Sequence, residues 1–452
     1  MSTNFLWKVS KNSKNHALKN QSWSTILKKI WSFFDRACDY RLTSAYYAWE
    51  KGLAFFPAYK FFLSFKSFGL KNYQNTFAGH KSSVQKYYCR RDDPIERFLK
   101  VIDAKDIEDI NYHSIKSNEN KCNEILQKAP YQHTLWLYEY LRIHGDLRVA
   151  DYIRCLSLQA VLTEQKKTNR LLPRSLHASL ELKQYENILR ILHEKKLNHI
   201  RKNTVQKFKA FALCCLGDQV NAKKTMNAFY NKNDLDFGNI IKDRSIAIVG
   251  PAIPEDHIAS EIDSYDLVVR TNYNPEKRLP SEIYGTRCDI SYCNIDYVIN
   301  QSLIGYNSLK YILYKSYNSK KTYDGYRKSH NFMAPSRINY NPGDLFWSGF
   351  SNAVPMAIYD LLHFSPHKIK IFCVNFFTSK KRVHGNYQSA KTPNDFVMIN
   401  LKRHDLVSNF MFCKNLYQLN ILNADRLSTE ILKMDRIEYS GVINTIVNNK
   451  KS

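Results

Sequence analysis

Ten cysteines occur in this chain, yet none form a CxxC pair and none keep a metal-ligand rhythm. That argues against a zinc site or a disulfide framework, and for thiols serving as small core residues in a reducing compartment. No run of 18 or more uncharged apolar residues is present, so no transmembrane helix is expected. Met1 to Asn20 is polar and lysine-rich, unlike a cleavable signal. A Walker loop, a Ser-His-Asp spacing and a zinc cluster are also missing. Glycine and proline are scarce, at 14 and 13 residues, and no function is read from that usage. These absences together lead to the expectation of a cytoplasmic protein.

Acidic residues are in short supply too. Against 67 Lys and Arg stand 41 Asp and Glu, a formal charge of +26. Residues 241–452 hold a net of +8, whereas the first 90 residues alone hold 15 basic and 3 acidic side chains. Such a block favours anionic partners, including lipid headgroups on the inner face of a membrane, although a solvated face has the same composition. The 44% hydrophobic and 13% aromatic content is that of a folded chain, and 452 residues are enough for two or three domains.

Three regions follow. In residues 1–90, Trp23, Ile26, Leu27, Ile30, Trp31 and Phe34 share one helical face, and the apolar stretch Leu53 to Leu70 carries Lys60, Lys66 and Pro57. This basic aromatic segment fits either a membrane interface or packing on the next domain. Residues 91–238 read as α-helical, most clearly from Pro130 to Tyr230. There Leu182 and Leu216, like Ala178 and Ala212, lie 34 residues apart, a spacing that resembles tetratricopeptide helix-turn-helix units. An antiparallel bundle is the alternative. Asn231 to Gly238 reads as a polar linker, and its Asp234-Leu235-Asp236 triplet is taken as linker, not as a metal site.

From 241 to 440 the pattern changes to strands alternating with helices. Ser245–Val249, Asp266–Arg270, Asp289–Cys293, Tyr311–Lys315 and Ile369–Phe376 read as buried parallel strands. Ser351–His363 and His404–Leu419 read as helices. The expected fold class is α/β: a Rossmann-like, doubly wound parallel sheet preceded by an all-α helical-repeat region. Gly250-Pro251-Ala252 after the first strand is not a GxGxxG fingerprint, and on its own it is weak evidence.

The stretch Glu261-Ile262-Asp263, then Asp266 to Arg270, then Thr271-Asn272, resembles the large nucleotide-binding motif of family 29 sialyltransferases. Further along, Cys288 to Asn294 is similar to a strand of bacterial glycosyltransferase family 42. Phe346-Trp347-Ser348-Gly349 with Ile369 to Phe376 resembles that family's small motif, and His404 stands where its catalytic histidine would. The resemblance spans roughly residues 244–423. It implies an inverting, metal-independent glycosyltransferase with no cofactor beyond a CMP-sugar donor, CMP-sialic acid by preference. The acceptor would be a glycan or glycolipid such as lipooligosaccharide or capsule precursor, and no nucleic-acid partner is expected.

By that resemblance His404 is the general base, since an imidazole titrates near neutrality. His384 is the second candidate, and Tyr387 would assist phosphate departure. Gly250, Pro251, Asn272, Asn294, Ser348 and Gly349 would line the donor nucleotide site, Asn272 at the phosphate or sugar and Asn294 at the cytidine. For both asparagines a turn residue at a strand end is the plain alternative, and for Ser348 a helix N-cap. Pro251 departs from the families, which place Asn there, and proline offers no amide donor. The basic residue expected before Ser348 is missing, with Leu345 and Phe346 in its place. Arg270 is a substitute, though a structural role suits it better. Another nucleotide-sugar donor, or a non-catalytic helical scaffold, are the competing readings.

Overall fold

The computed structural model describes residues 94–448, apart from 105–109, 130–133, 135–136, 139–140, 143–145, 166–171, 195–201, 255, 275–278, 294–307, 316–323, 326–333, 343–344, 348–350, 380–396, 398–399 and 402–403. The basic aromatic segment 1–90 therefore lies outside the described residues. The chain divides into two compact units, Met1–Lys105 and Asp106–Ser452. Of the first unit, one helix is described, α1 (Pro94–Val101).

The second unit opens with α2 (Tyr112–Ser117), α3 (Glu119–Lys128), α4 (Leu147–Gln165), α5 (Leu172–Glu181), α6 (Tyr185–Glu194), α7 (Lys202–Cys215), α8 (Gln219–Asn227) and α9 (Lys232–Ile241). An α/β part follows, with strands β1 (Ser245–Val249), β2 (Leu267–Thr271), β3 (Ile290–Cys293), β4 (Tyr311–Tyr314), β5 (Ser336–Ile338), β6 (Lys368–Phe372) and β7 (Asn423–Ala424). Its helices are α10 (Ala259–Asp263), α11 (Ser281–Tyr284), α12 (Ala353–Leu362), α13 (Leu406–Gln418), α14 (Arg426–Lys433) and α15 (Arg436–Asn448).

All seven strands are parallel, in the order β5-β4-β3-β2-β1-β6-β7. The α/β parallel sheet expected from the sequence is the observed fold. Its strands are short apolar runs because both faces are covered. Successive side chains of β1 enter different cores: Ile246 and Ile248 join a cluster with Phe208, Phe211 and Phe237, whereas Ala247 and Val249 pack with Ile262, Tyr265 and Phe372. Helices α5, α6, α7 and α9 thus share one hydrophobic core with one face of the sheet. At about 1.5–3 kcal/mol for each buried Ile or Phe, that shared face is a main stabilising term.

Several boundaries differ from the sequence reading. The linker expected at 231–238 is the start of α9, closed by a capping box in which Asn231 and Asp234 exchange backbone and side-chain hydrogen bonds. Asp234 is buried and pairs with Arg337 at 2.9 Å, so the Asp-x-Asp triplet is half core and half exposed. β6 stops at Phe372, four residues early, because Cys373, Phe376 and Phe377 turn into left-handed backbone.

The 34-residue spacing has a local counterpart. Leu182, Lys183 and Gln184 donate to Ala178, Leu180 and Ser179, and Leu216, Gly217 and Asp218 donate to Ala212, Cys214 and Leu213 in the same pattern. Lys183 and Gly217 both adopt positive φ, so α5-α6 and α7-α8 turn alike.

Candidate functional site

In an open parallel sheet, ligands bind beyond the carboxyl ends of the strands, where the strand order reverses. Here that point lies between β1 and β6, since β2 to β5 run to one side of β1 and β6 and β7 to the other. Gly250, directly after β1, packs into this point. A Cβ there would sit 2.5 Å from the Cys373 carbonyl oxygen and 2.9 Å from Val374 Cγ2. The Gly250 amide donates to Phe372 and that of Ala252 to Cys373, at 2.8 and 3.0 Å. Pro251 has no amide. The amides of the turn 250–252 are therefore both engaged within the chain, and Gly250 permits the close approach of two of its segments.

Asn272, on the same edge after β2, has φ of 49°, a conformation that asparagine tolerates better than most residues. Its amide extends the ladder to the Tyr292 carbonyl at 2.9 Å. The other residues that carry the large-motif resemblance have structural partners. Glu261 pairs with Lys370. Asp263 accepts the Thr286 and Arg287 amides at 2.8 and 3.2 Å. Arg270 is buried, and its guanidinium donates to the carbonyls of Arg287, Tyr284 and Gly285 at 2.8, 2.6 and 3.2 Å. It thus locks the turn before β3 and does not face an anionic donor, which removes it as a substitute carboxylate partner.

The turn holding His404 meets the same edge from the β6 side. The buried Tyr439 hydroxyl of α15 donates to Phe376, just past β6, at 2.9 Å, and lies 3.5 Å from the Leu406 carbonyl at the start of α13. His404, two residues before, is half-buried and its amide bonds to Asn400 at 2.7 Å. Asp405 is the N-cap of α13 and accepts the Ser408 amide at 3.0 Å.

Asp405 is also the hub of a buried network. Arg154 of α4 pairs with it at 3.0 Å and with Glu181 at the end of α5. Tyr138 donates to it at 3.1 Å, and Arg142 bonds the carbonyls of Leu401 and His404. Burial works against the Asp405 anion, yet the Arg154 and Arg142 charges and the Ser408 bonds outweigh it and hold the carboxyl below the usual carboxylate range. Glu181 in turn accepts the Trp347 amide at 3.2 Å, beside Ser348-Gly349, and lies 2.7 Å from the Ser408 hydroxyl. Asn409 links the same two segments: its Nδ2 donates to the Asp405 carbonyl and its Oδ1 accepts the Asn352 amide, both at 2.6 Å. Helical-region side chains thus clamp the His404 turn to the Trp347 segment.

Of the candidate site residues, Gly250, Pro251, Asn272 and His404 are described. His384, Tyr387, Asn294, Ser348 and Gly349 lie outside the described residues. The sequence reading missed Lys315, which follows β4 on this edge. Burial pushes its ammonium down to about 8. A lysine closing an apolar strand was the available signal. It also missed a second network, in which Arg337 bonds Asp234 and Asp360 while Tyr292 and Tyr340 donate to the same carboxylates.

No protein-family model matches the chain, and no curated protein does. Among solved structures, a mammalian sialyltransferase in complex with Gal-beta-1-3GalNAc-ortho-nitrophenol aligns over 54% of this chain and 86% of its own, at 12% identity and a TM-score of 0.31. A likeness that distant carries neither activity nor substrate.

Proposed function

We propose that the α/β part, with its helical support, is a nucleotide-sugar-dependent glycosyltransferase that takes CMP-sialic acid as donor and a glycan or glycolipid hydroxyl as acceptor. The supporting observation is the convergence at one sheet edge of Asn272, the end of β6 and the His404 turn, the last two joined through Tyr439. With neighbouring strands about 4.8 Å apart, the ends of β2 and β6 lie about 10 Å from each other across β1, a span a nucleotide can bridge. In this reading His404 removes the acceptor proton as the new bond forms, with inversion at the sugar and without a metal. Asn272 and Asn294 meet the donor nucleotide, and Ser348-Gly349 cradle it at the approach to α12. His384 is the second candidate for the base, and Tyr387 would assist phosphate departure.

CMP at about 1 mM should raise the melting temperature, because a ligand that binds only the folded state stabilises it. His404→Ala should abolish transfer and keep that shift. No shift with CMP would end the sialyltransferase reading. A different donor is favoured by Pro251 and the occupied amides beside it, and a panel of UDP-, GDP- and CMP-sugars scored by hydrolysis separates the two.

A further inference from the structure

Helices α7 and α8 form a hairpin whose outer face holds a groove of about 570 Å³, lined by Lys202, Gln206, Lys209 and Leu213 on one wall and by Lys224 and Phe229 on the other. Among the described residues no acidic side chain lines it. Lys202 and Lys209 stand two turns apart, about 10 Å along α7 at 1.5 Å per residue. All three lysines are exposed, and none has an ion pair or hydrogen bond among the described residues. Some exposed cations on other helices are matched within their own helix or turn, as in Lys116 with Glu119, Lys128 with Glu124 and Arg190 with Glu194. Others, such as Lys121 and Lys433, are not matched among the described residues, so it is the clustering of three unmatched lysines around one groove that sets this face apart.

The preceding hairpin provides an internal comparison. Shifted by 34 residues, Gln206, Lys209, Leu213 and Thr225 correspond to Leu172, Ser175, Ser179 and Ile191, all four of them buried. Asn221, Lys224 and Ala228 correspond instead to the half-buried Asn187 and the exposed Arg190 and Glu194, so the two hairpins differ mainly along the first helix, where the covered Leu172 and Ser175 become the half-buried Gln206 and the exposed Lys209. Another apolar helix could not cover the α7-α8 face without stripping water from three ammonium groups. A flat bilayer would not reach Leu213, which is buried at the floor between the two helices.

We propose that this groove docks an acidic, partly apolar polypeptide segment of a partner protein, with carboxylates at Lys202, Lys209 and Lys224 and an apolar side chain against Leu213 and Phe229. The proposal is independent of the glycosyltransferase reading. The test uses the full chain and fluorescence anisotropy with a short labelled peptide in which glutamates flank a Leu-Phe pair, beside its glutamine counterpart. The glutamate peptide should bind, more weakly as salt rises, and the glutamine peptide should not. The triple variant Lys202→Glu, Lys209→Glu, Lys224→Glu should weaken binding at least about tenfold. A matched triple reversal at the exposed Lys121, Lys242 and Lys433 lowers the net charge equally and should leave binding within about twofold. Equal losses in the two triples, equal binding of both peptides, or no binding at all would overturn the proposal. So would a groove-dependent preference for phosphatidylserine vesicles or a sulfated oligosaccharide over the peptide.

Discussion

Arg154 and Asp405, 251 residues apart in the chain, form a buried ion pair at 3.0 Å. The arginine belongs to the helical region and the aspartate directly follows His404, so the helices hold the candidate site's most important turn. Removing one partner of a buried pair leaves a charge without compensation. Arg154→Leu should therefore lower the unfolding free energy by about 3–5 kcal/mol, read from urea denaturation. Glu181→Gln, which keeps the shape but weakens the link to Trp347 and Ser408, should cost less and still reduce turnover. Full activity in that variant would argue against coupling between the two segments.

Gly250→Ala should destabilise by about 1–3 kcal/mol, because the atom its Cβ would meet is the Cys373 backbone oxygen, already held by the Ala252 amide. Gly217→Ala is the contrast. Nothing lies within 4 Å of a Cβ there, and its φ of 84° is the only obstacle. The expected cost is about 1 kcal/mol. Thermal and chemical denaturation of both variants checks the pair.

Asn272 allows a backbone role to be separated from a binding role. Asn272→Gly should keep stability within about 0.5 kcal/mol, since glycine accepts positive φ, whereas Asn272→Val should lose about 1–2 kcal/mol. If the side chain meets the donor nucleotide, Asn272→Gly should also lose the CMP-induced thermal shift. A variant that retains both stability and the shift would restrict Asn272 to the turn.

His363 makes stability depend on pH. Its ring is buried against Tyr340 and Tyr359, its Nδ1 bonds the Tyr359 carbonyl at 2.6 Å, and burial pushes its pKa down to about 3. A histidine with a lowered folded pKa stays neutral in the native state while the unfolded chain takes up a proton. Stability is then complete above about pH 6.5 and falls by about 1.4 kcal/mol per pH unit towards about pH 3. His363→Phe should flatten the slope of unfolding free energy between pH 6.5 and 4.5 by about one proton. An unchanged slope would assign the acid lability to other groups.

The apolar runs at Ser245 and Asp289 were legible as strands because a parallel strand buried on both faces has no polar alternation. β5 and β7 were not legible. At three and two residues they carry no pattern of their own, and they are strands only because β4 and β6 lie beside them. Asp234 looked like linker because a polar residue near an apolar run is locally neutral. Only the distant Arg337 makes it part of the core. Arg270 and Asp263 sit within a motif that resembles a nucleotide site, yet their nearest partners are turns of the same chain, and a sequence pattern does not distinguish a backbone carbonyl from a ligand phosphate.

What the amino-acid order settled without help is local: the alternation of buried strands and amphipathic helices, the 34-residue spacing of Leu182 and Leu216, and hence an α/β chain behind a helical region. Tertiary structure alone decided that those helices lie on the sheet and that Arg154, Glu181 and Asp405 meet. The reason is physical. Periodicity encodes which face of an element leaves water, whereas the partner that face finds depends on shape and charge complementarity between segments hundreds of residues apart.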